Sequence, residues 1–377
     1  MNKTWEERWI EDIDCLKETL GIKHKNLFFN VSREEFEKKV LELKAKVNEL
    51  DYDEMKVELS SIVAMVKDAH TTIAFPVERY IPLKFYCFVD GVYIIGVSKG
   101  YEKLLYKKVT AIEDLEIDDV MEALSKIISY ENKYFLRAQV AKYLQAADVL
   151  YGLLICDDKK KIKIVVENEM IEVETVMQNE LSYIENVNIP LYAEKPSENY
   201  WFKYIDSDKL LYIKYNSCRE DSIPLKDKIS NTINFIERNN ISKITLDLRN
   251  NLGGDSLLLA PLVKYLKNNY NISQNENLKV IIGRETFSSG LLNAYELKNE
   301  CNAKLIGEPS GGKPNCYGEI LRFNLPNSKF SVSYSTKYYK LIDDDNVDAL
   351  YPDKMVEETI EDYKSLLMNV VEFNEKY

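Results

Sequence analysis

Asp247-Leu248-Arg249-Asn250-Asn251-Leu252-Gly253-Gly254-Asp255 continues from the end of a buried-type strand pattern, Ile244–Leu248, and precedes a segment with helical spacing. A buried-type strand that runs through two glycines into a helix is the mark of a βα unit. The pattern repeats on both sides. Strands are expected at Leu210–Tyr215, Ile244–Leu248, Lys279–Ile282 and Lys304–Ile306, with helices at 225–239, 255–268 and 290–299. Strands alternating with helices of this length predict a mainly parallel sheet, whose chemistry collects at strand C-terminal ends and helix N-termini. Segments 319–325 and 330–335, split by Pro326-Asn327-Ser328, read as an added hairpin, and 354–375 as a closing helix.

Upstream the pattern changes. Residues 3–20, 32–49 and 53–67 place apolar side chains at helical spacing, for example Phe36, Val40, Leu43 and Val47, and Ser32 with Glu35 forms a capping-box signature. This helical region runs into Asp68-Ala69-His70-Thr71-Thr72, read as a strand or turn. From Ile81 to Val176 short strands (Phe85–Val89, Val92–Val97, Lys108–Ile112, Ile162–Val166, Met170–Val176) surround helices near 117–129 and 133–148. Asp90-Gly91 supplies a hairpin turn between the first two strands. Residues 177–208 are polar and irregular and read as a linker. The expected organisation is therefore 1–78 helical, 79–180 a small α+β module, 181–209 linker, and 210–377 an α/β domain.

The 377 residues carry a net charge of −12 and are 45% hydrophobic, enough for full cores. No basic patch of the kind that phosphate backbones require is present, so nucleic acid is not an expected partner. The longest apolar runs, such as Tyr93–Val97 and Leu257–Val263, fall far short of the roughly 20 residues that span a bilayer. The N-terminus opens on an amphipathic helix pattern without a secretory signal, and a cytoplasmic protein is expected, an exported mature form remaining open. Six cysteines show no Cys-x-x-Cys spacing and there are two histidines, His24 and His70. That set argues against a zinc centre, and no metal or cofactor is expected. Monomer and homo-oligomer stay open.

Two further segments carry chemistry. In Gly283-Arg284-Glu285-Thr286-Phe287-Ser288-Ser289-Gly290 two hydroxyls stand at a helix N-terminus, where serine is a favoured cap but where peptide N–H groups also favour a developing oxyanion. In Gly307-Glu308-Pro309-Ser310-Gly311-Gly312-Lys313-Pro314 a glycine loop presents a lysine.

Together, the three segments resemble the C-terminal-processing (tail-specific) serine peptidases and the tricorn core: a Leu-Arg-Asn-Asn-x-Gly-Gly-like turn, a Thr/Ser-x-Ser segment, then Gly-Glu-Pro-x-x-Gly-Lys/Arg. The resemblance covers about residues 200–355. It implies a ClpP/crotonase-like catalytic domain, a degenerate PDZ-like middle module, and hydrolysis of polypeptide substrates. Carried over, the nucleophile is Ser288, and the backbone N–H groups of Gly253 and Ser289 form the oxyanion hole. For the base it leaves two residues. Lys313 stands 25 positions after Ser288, as in the Ser-Lys dyads, whereas His70 matches the tricorn-like histidine, with Ala69 where tricorn has serine. Arginine is accepted at the Lys313 position in near relatives and cannot be a base, which favours His70. Asp68, Glu319 and Asp353 are candidates to orient it. A catalytically silent ligand- or peptide-binding protein on the same fold is the alternative.

Overall fold

The computed structural model describes residues 3–184, 189–269, 272 and 277–368. They form two compact units, one of Met1–Glu185 with Asn315–Lys340 and one of Asn186–Pro314 with Leu341–Tyr377. Among the described residues no helix is long and apolar enough to cross a membrane.

In the first unit the helices Trp5–Lys23, Arg33–Lys46 and Tyr52–Ala64 each start with a complete capping box, formed by Thr4 with Glu7, Ser32 with Glu35 and Asp51 with Glu54. Each box satisfies N–H groups that the first helical turn leaves unpaired. The helices bury Trp9, Ile13, Leu16, Phe36, Leu43 and Leu59 against Ile73, Phe330 and Val332. Ile73 and Val332 belong to a three-stranded antiparallel sheet ordered Thr72–Ala74, Ser331–Tyr339, Cys316–Asn324, and Phe330 immediately precedes its middle strand. Thr72 pairs with Ser333. Residues 315–340 thus group with the N-terminal part of the chain and interrupt the expected continuous 210–377 domain. The cause is a strand pairing across more than 250 residues, which no local pattern announces.

The same unit holds a second core. The strands Leu83–Phe88, Gly91–Val97, Lys108–Ile112, Lys161–Val166 and Glu169–Glu174 lie in that order. The helices Ile117–Ser125, Lys133–Tyr143 and Ala147–Gly152 bury Val120, Leu124, Val140 and Leu150 with Phe85, Ile94, Ile112 and Ile164 of the strands. The expected helix 133–148 is two helices, because the chain turns at Leu144–Ala146. Leu83–Phe88 is an edge strand, yet the carbonyls of Leu83 and Phe88 accept hydrogen bonds from Gln145 and Arg137.

The second unit is built on a six-stranded sheet ordered Tyr200–Ile205, Leu210–Tyr215, Lys243–Asp247, Leu278–Ile282, Lys304–Gly307, Lys354–Met355. The first pair is antiparallel and the rest are parallel. Every residue of Leu210–Tyr215 is buried, as expected where both sheet faces are covered. Leu211, Ile213 and Tyr215 pack with Ile229, Leu262 and Leu297 of the helices Leu225–Arg238, Ala260–Asn268 and Ser289–Cys301. Leu210 and Tyr212 pack on the other face with Trp201, Ile281, Ile306 and Val356. Tyr200–Ile205 lies inside the segment read as linker; its strand signal is the aromatic run Tyr200-Trp201-Phe202. The expected closing helix 354–375 begins later, as Lys354–Met355 is a strand and Ile360–Met368 is helical. Its end beyond Met368 lies outside the described residues.

Asp12, fully buried in the first helix, accepts the backbone N–H groups of Asn327 (2.7 Å) and Ser328 (2.8 Å) and so fixes the hairpin turn of the same unit. Asp12→Ala is expected to lower stability by about 2–4 kcal/mol, as two N–H groups lose a charged acceptor. Urea unfolding followed by circular dichroism measures it.

Candidate active site

Asp247 ends its strand fully buried, and burial alone would raise its pKa. It is nevertheless held below the usual carboxylate value by Arg249 and Lys214, by the Arg249 N–H, and by the Tyr212 hydroxyl. Lys214 Nζ lies 3.1 Å from Asp247 and 3.1 Å from Asn250 Oδ1, and Arg249 Nε lies 2.9 Å from Asp247. Burial pushes Lys214 down to about 8 against the pull of Asp247. These charges anchor the start of the glycine turn. A buried ion group of this kind is weak evidence of stability but strongly constrains geometry when all its members are paired.

Asn251 fixes the rest of the turn. Fully buried, it donates from Nδ2 to the Tyr215 carbonyl (3.0 Å). Its Oδ1 accepts the Gly253 N–H (2.9 Å) and the Cys218 thiol (3.4 Å). Its own carbonyl accepts the Phe287 N–H at 3.0 Å, which ties the glycine turn to the serine loop. Gly253 has φ +102°, and a Cβ there would stand 2.8 Å from both Ser288 Cβ and Ser289 N. Only glycine tolerates both the backbone angle and the close approach.

The serine loop is braced from below by Thr286, whose hydroxyl accepts the Gly283 N–H (2.9 Å) and donates to the Leu248 carbonyl (2.9 Å). Ser288 follows at φ +52°, ψ −127°, a region that L-residues avoid, and its side chain makes no capping bond to the helix that starts at Ser289. It is therefore not an ordinary N-cap. Its neighbour is used differently, because Ser289 Oγ donates to the Gly254 carbonyl at 2.6 Å. A serine strained at a strand-to-helix turn, with its hydroxyl uncommitted to the cap, is the arrangement of a nucleophile elbow.

The third loop closes on the second. Arg284 grips Glu308 through Nε (2.8 Å) and Nη2, a two-point contact that joins the serine loop to the Gly-Glu-Pro turn. The Gly311 N–H donates to the Thr286 carbonyl (3.0 Å), and the ring of Phe287 lies against Gly312. Ser310, fully buried, donates to the Gly312 carbonyl and accepts the Leu350 N–H, each at 2.8 Å. Lys313 is half-buried at the end of this loop.

His70 lies in the other unit and is buried. Burial lowers its pKa, while Asp68 and the backbone carbonyl of Tyr317 raise it. Asp68 Oδ1 accepts the His70 N–H at 3.0 Å and stands 3.8 Å from His70 Nδ1. Of the three carboxylates weighed from sequence, Asp68 is the one facing His70. Glu319 accepts the Tyr339 hydroxyl, and Asp353 holds Lys298 and the Leu305 N–H. The structure thus gathers Ser288, Ser289 and Gly253 at one point, ties the loop of Lys313 to them, and sets His70 beside Asp68. The Gly253 N–H, read as an oxyanion donor, is engaged by Asn251 in this conformation. Asn251 and Ser310 were not recognised in the sequence, since their role is to bond backbone of distant segments.

No family model matches the sequence, and no curated protein matches it. Among solved structures, mature CPAF complexed with lactacystin aligns with a TM-score of 0.69 over 98% of this chain and 97% of that chain, at 11% identity. Mature CPAF alone gives 0.67 over 98% and 96%, at 12% identity. The photosystem II D1 C-terminal processing protease aligns over 98% of both chains at 13% identity, with a TM-score of 0.45. At such identities the CPAF match shows a shared fold, a mixed α+β multidomain architecture. The last of these is by its name a C-terminal processing protease, the kind of protein that the sequence motifs resemble.

The strain at Ser288 has a measurable consequence. Ser288→Gly is expected to be more stable than Ser288→Ala by about 1 kcal/mol, because glycine removes a backbone cost of about 1–3 kcal/mol and loses part of that gain to unfolded-chain entropy. Denaturant unfolding of the two variants checks it; equal midpoints would contradict it.

Proposed function

We propose that this chain is a serine-type peptidase in which Ser288 attacks the carbonyl of a peptide bond. The observation that carries the reading is the backbone of Ser288, held at φ +52° where its hydroxyl caps nothing, against the Gly253-Gly254 turn. Strain of this kind persists only where the surroundings impose it, and here three loops do. On this reading the base, His70 or Lys313, takes the hydroxyl proton as Oγ bonds to the carbonyl carbon. The tetrahedral oxyanion forms against backbone N–H groups, and the base then gives the proton to the leaving amine as the C–N bond breaks. Water, deprotonated by the same base, releases the acyl group.

Ser289 opens the helix, and its N–H belongs to the set of first-turn donors that lack intrahelical partners. The second donor assigned from the sequence, the Gly253 N–H, serves only when its bond to Asn251 Oδ1 opens, so Asn251 gates the hole. We read the six-stranded unit as the ClpP/crotonase-like catalytic part and residues 79–180 as a PDZ-like module. Capture of a substrate C-terminus by strand addition at Leu83–Phe88 requires Gln145 and Arg137 to release that edge. The substrate is polypeptide.

Ser288→Ala is expected to abolish cleavage of unstructured peptides and labelling by an active-site phosphonate; retained cleavage refutes the mechanism. His70→Ala and Lys313→Ala assign the base, the true one losing at least about 100-fold in kcat/KM. The pH profile gives an independent answer. Burial holds His70 below its ordinary value of 6.5. If His70 is the base, the acid limb of kcat/KM therefore falls below pH 6.5 and activity is full at neutrality. Equal affinity of full-length Ser288→Ala for peptides with free and amidated C-termini would dismiss tail capture.

A further inference from the structure

Asp68, His70 and Glu131 bring one ligand atom each to within 4.8 Å of one another, all inside the first unit. Two of them come from the turn before the strand Thr72–Ala74, and Glu131 from the segment before the helix Lys133–Tyr143. Asp68 is fully buried and His70 nearly so, so the group is no scatter of surface acids. We propose that these three side chains form a binding site for a divalent transition-metal ion of the Zn(II) type, and that its occupation takes the imidazole lone pair and silences His70. The inhibitory half rests on His70 serving as the base; the binding half does not.

Asp68 is prepared for such a role by its other oxygen. Oδ2 accepts His24 Nε2 (3.0 Å), the Thr71 hydroxyl (2.6 Å) and the Ser335 hydroxyl (2.7 Å), which fixes the carboxylate with Oδ1 turned toward His70 Nδ1 at 3.8 Å. Zinc–oxygen and zinc–nitrogen bonds of about 2.0–2.2 Å place two ligands of a tetrahedral site somewhat over 3 Å apart, so a small side-chain movement closes the gap. Hydrogen-bonded support of a ligating carboxylate is how proteins orient metal ligands. Burial favours the neutral imidazole, the form that ligates.

The donor chemistry points the same way. Two carboxylates lie beside the imidazole. An imidazole beside carboxylates favours Zn(II) and its spectroscopic substitute Co(II) over Mg(II) or Ca(II).

The test uses the full-length Ser288→Ala chain, stripped with chelator and titrated with Co(II), with visible absorption and calorimetry as readouts. One equivalent is expected to bind, to be displaced by Zn(II), and to be weakened at least about 10–100-fold by Glu131→Gln and by His70→Ala. Unfolding curves in chelator establish that each variant is folded. Absence of stoichiometric binding, or equal binding by folded Glu131→Gln, overturns the site. With the active serine present, Zn(II) is expected to inhibit cleavage reversibly by chelator, with Glu131→Gln at least about tenfold less sensitive. Binding without inhibition overturns the inhibitory half alone. Should the chain cleave no peptide, the Co(II) titration still decides the site, so failure of the peptidase reading and failure of the metal site remain distinct.

Discussion

The amide of Asn251 has both its polar ends occupied, and four segments of the second unit depend on it. Tyr215 at the end of one strand, Cys218 beyond it, Gly253 in the glycine turn and Phe287 in the serine loop all bond to this one residue. Each partner is backbone or a buried thiol, groups costly to leave unpaired away from water. The residue therefore does more than fill a turn. It sets the distance between the glycine turn and the serine, and Gly253 and Gly290 must lack side chains because the backbone runs so close: a Cβ at Gly290 would meet the Asn251 carbonyl at 2.4 Å.

Charge pairing extends the same frame outward. Asp247 with Lys214 and Arg249 steadies one side of the turn, and Arg284 with Glu308 joins the serine loop to the loop of Lys313. The backbone strain at Ser288 is tolerable because these contacts leave the loop few alternatives. Local distortion and global order are linked here: the helix Ser289–Cys301 starts where it does because the preceding residue cannot join it.

Much of this was legible in the sequence, for identifiable reasons. The buried strands Leu210–Tyr215, Lys243–Asp247 and Leu278–Ile282 are rich in Leu, Ile, Val and Tyr and alternate with helical segments, and the glycines at 253 and 254 marked a turn. Tyr200–Ile205 escaped because its polar flanks outweighed its aromatics. The uncapped geometry of Ser288 was invisible, since serine before a helix reads as a cap. Glu131 could not have been found beside His70, because their approach arises from tertiary packing across sixty positions of chain. The partnership of Thr72 with Ser333 was hidden for the same reason.

That last pairing bears on the order in which the molecule is made. The first unit contains the N-terminal helices but lacks two strands of its three-stranded sheet until Cys316–Asn324 and Ser331–Tyr339 have emerged from the ribosome. Until then Ile73 and the helix faces of Trp9 and Phe36 have no Val332 or Phe330 to cover them. Synthesis at about 5–20 residues per second leaves this apolar surface open for on the order of ten seconds or more. Contacts of such sequence separation are slow to close. The nascent chain thus carries an incomplete unit through most of its translation, and a truncation before residue 330 would remove the far end of the chain and also uncover these N-terminal helices.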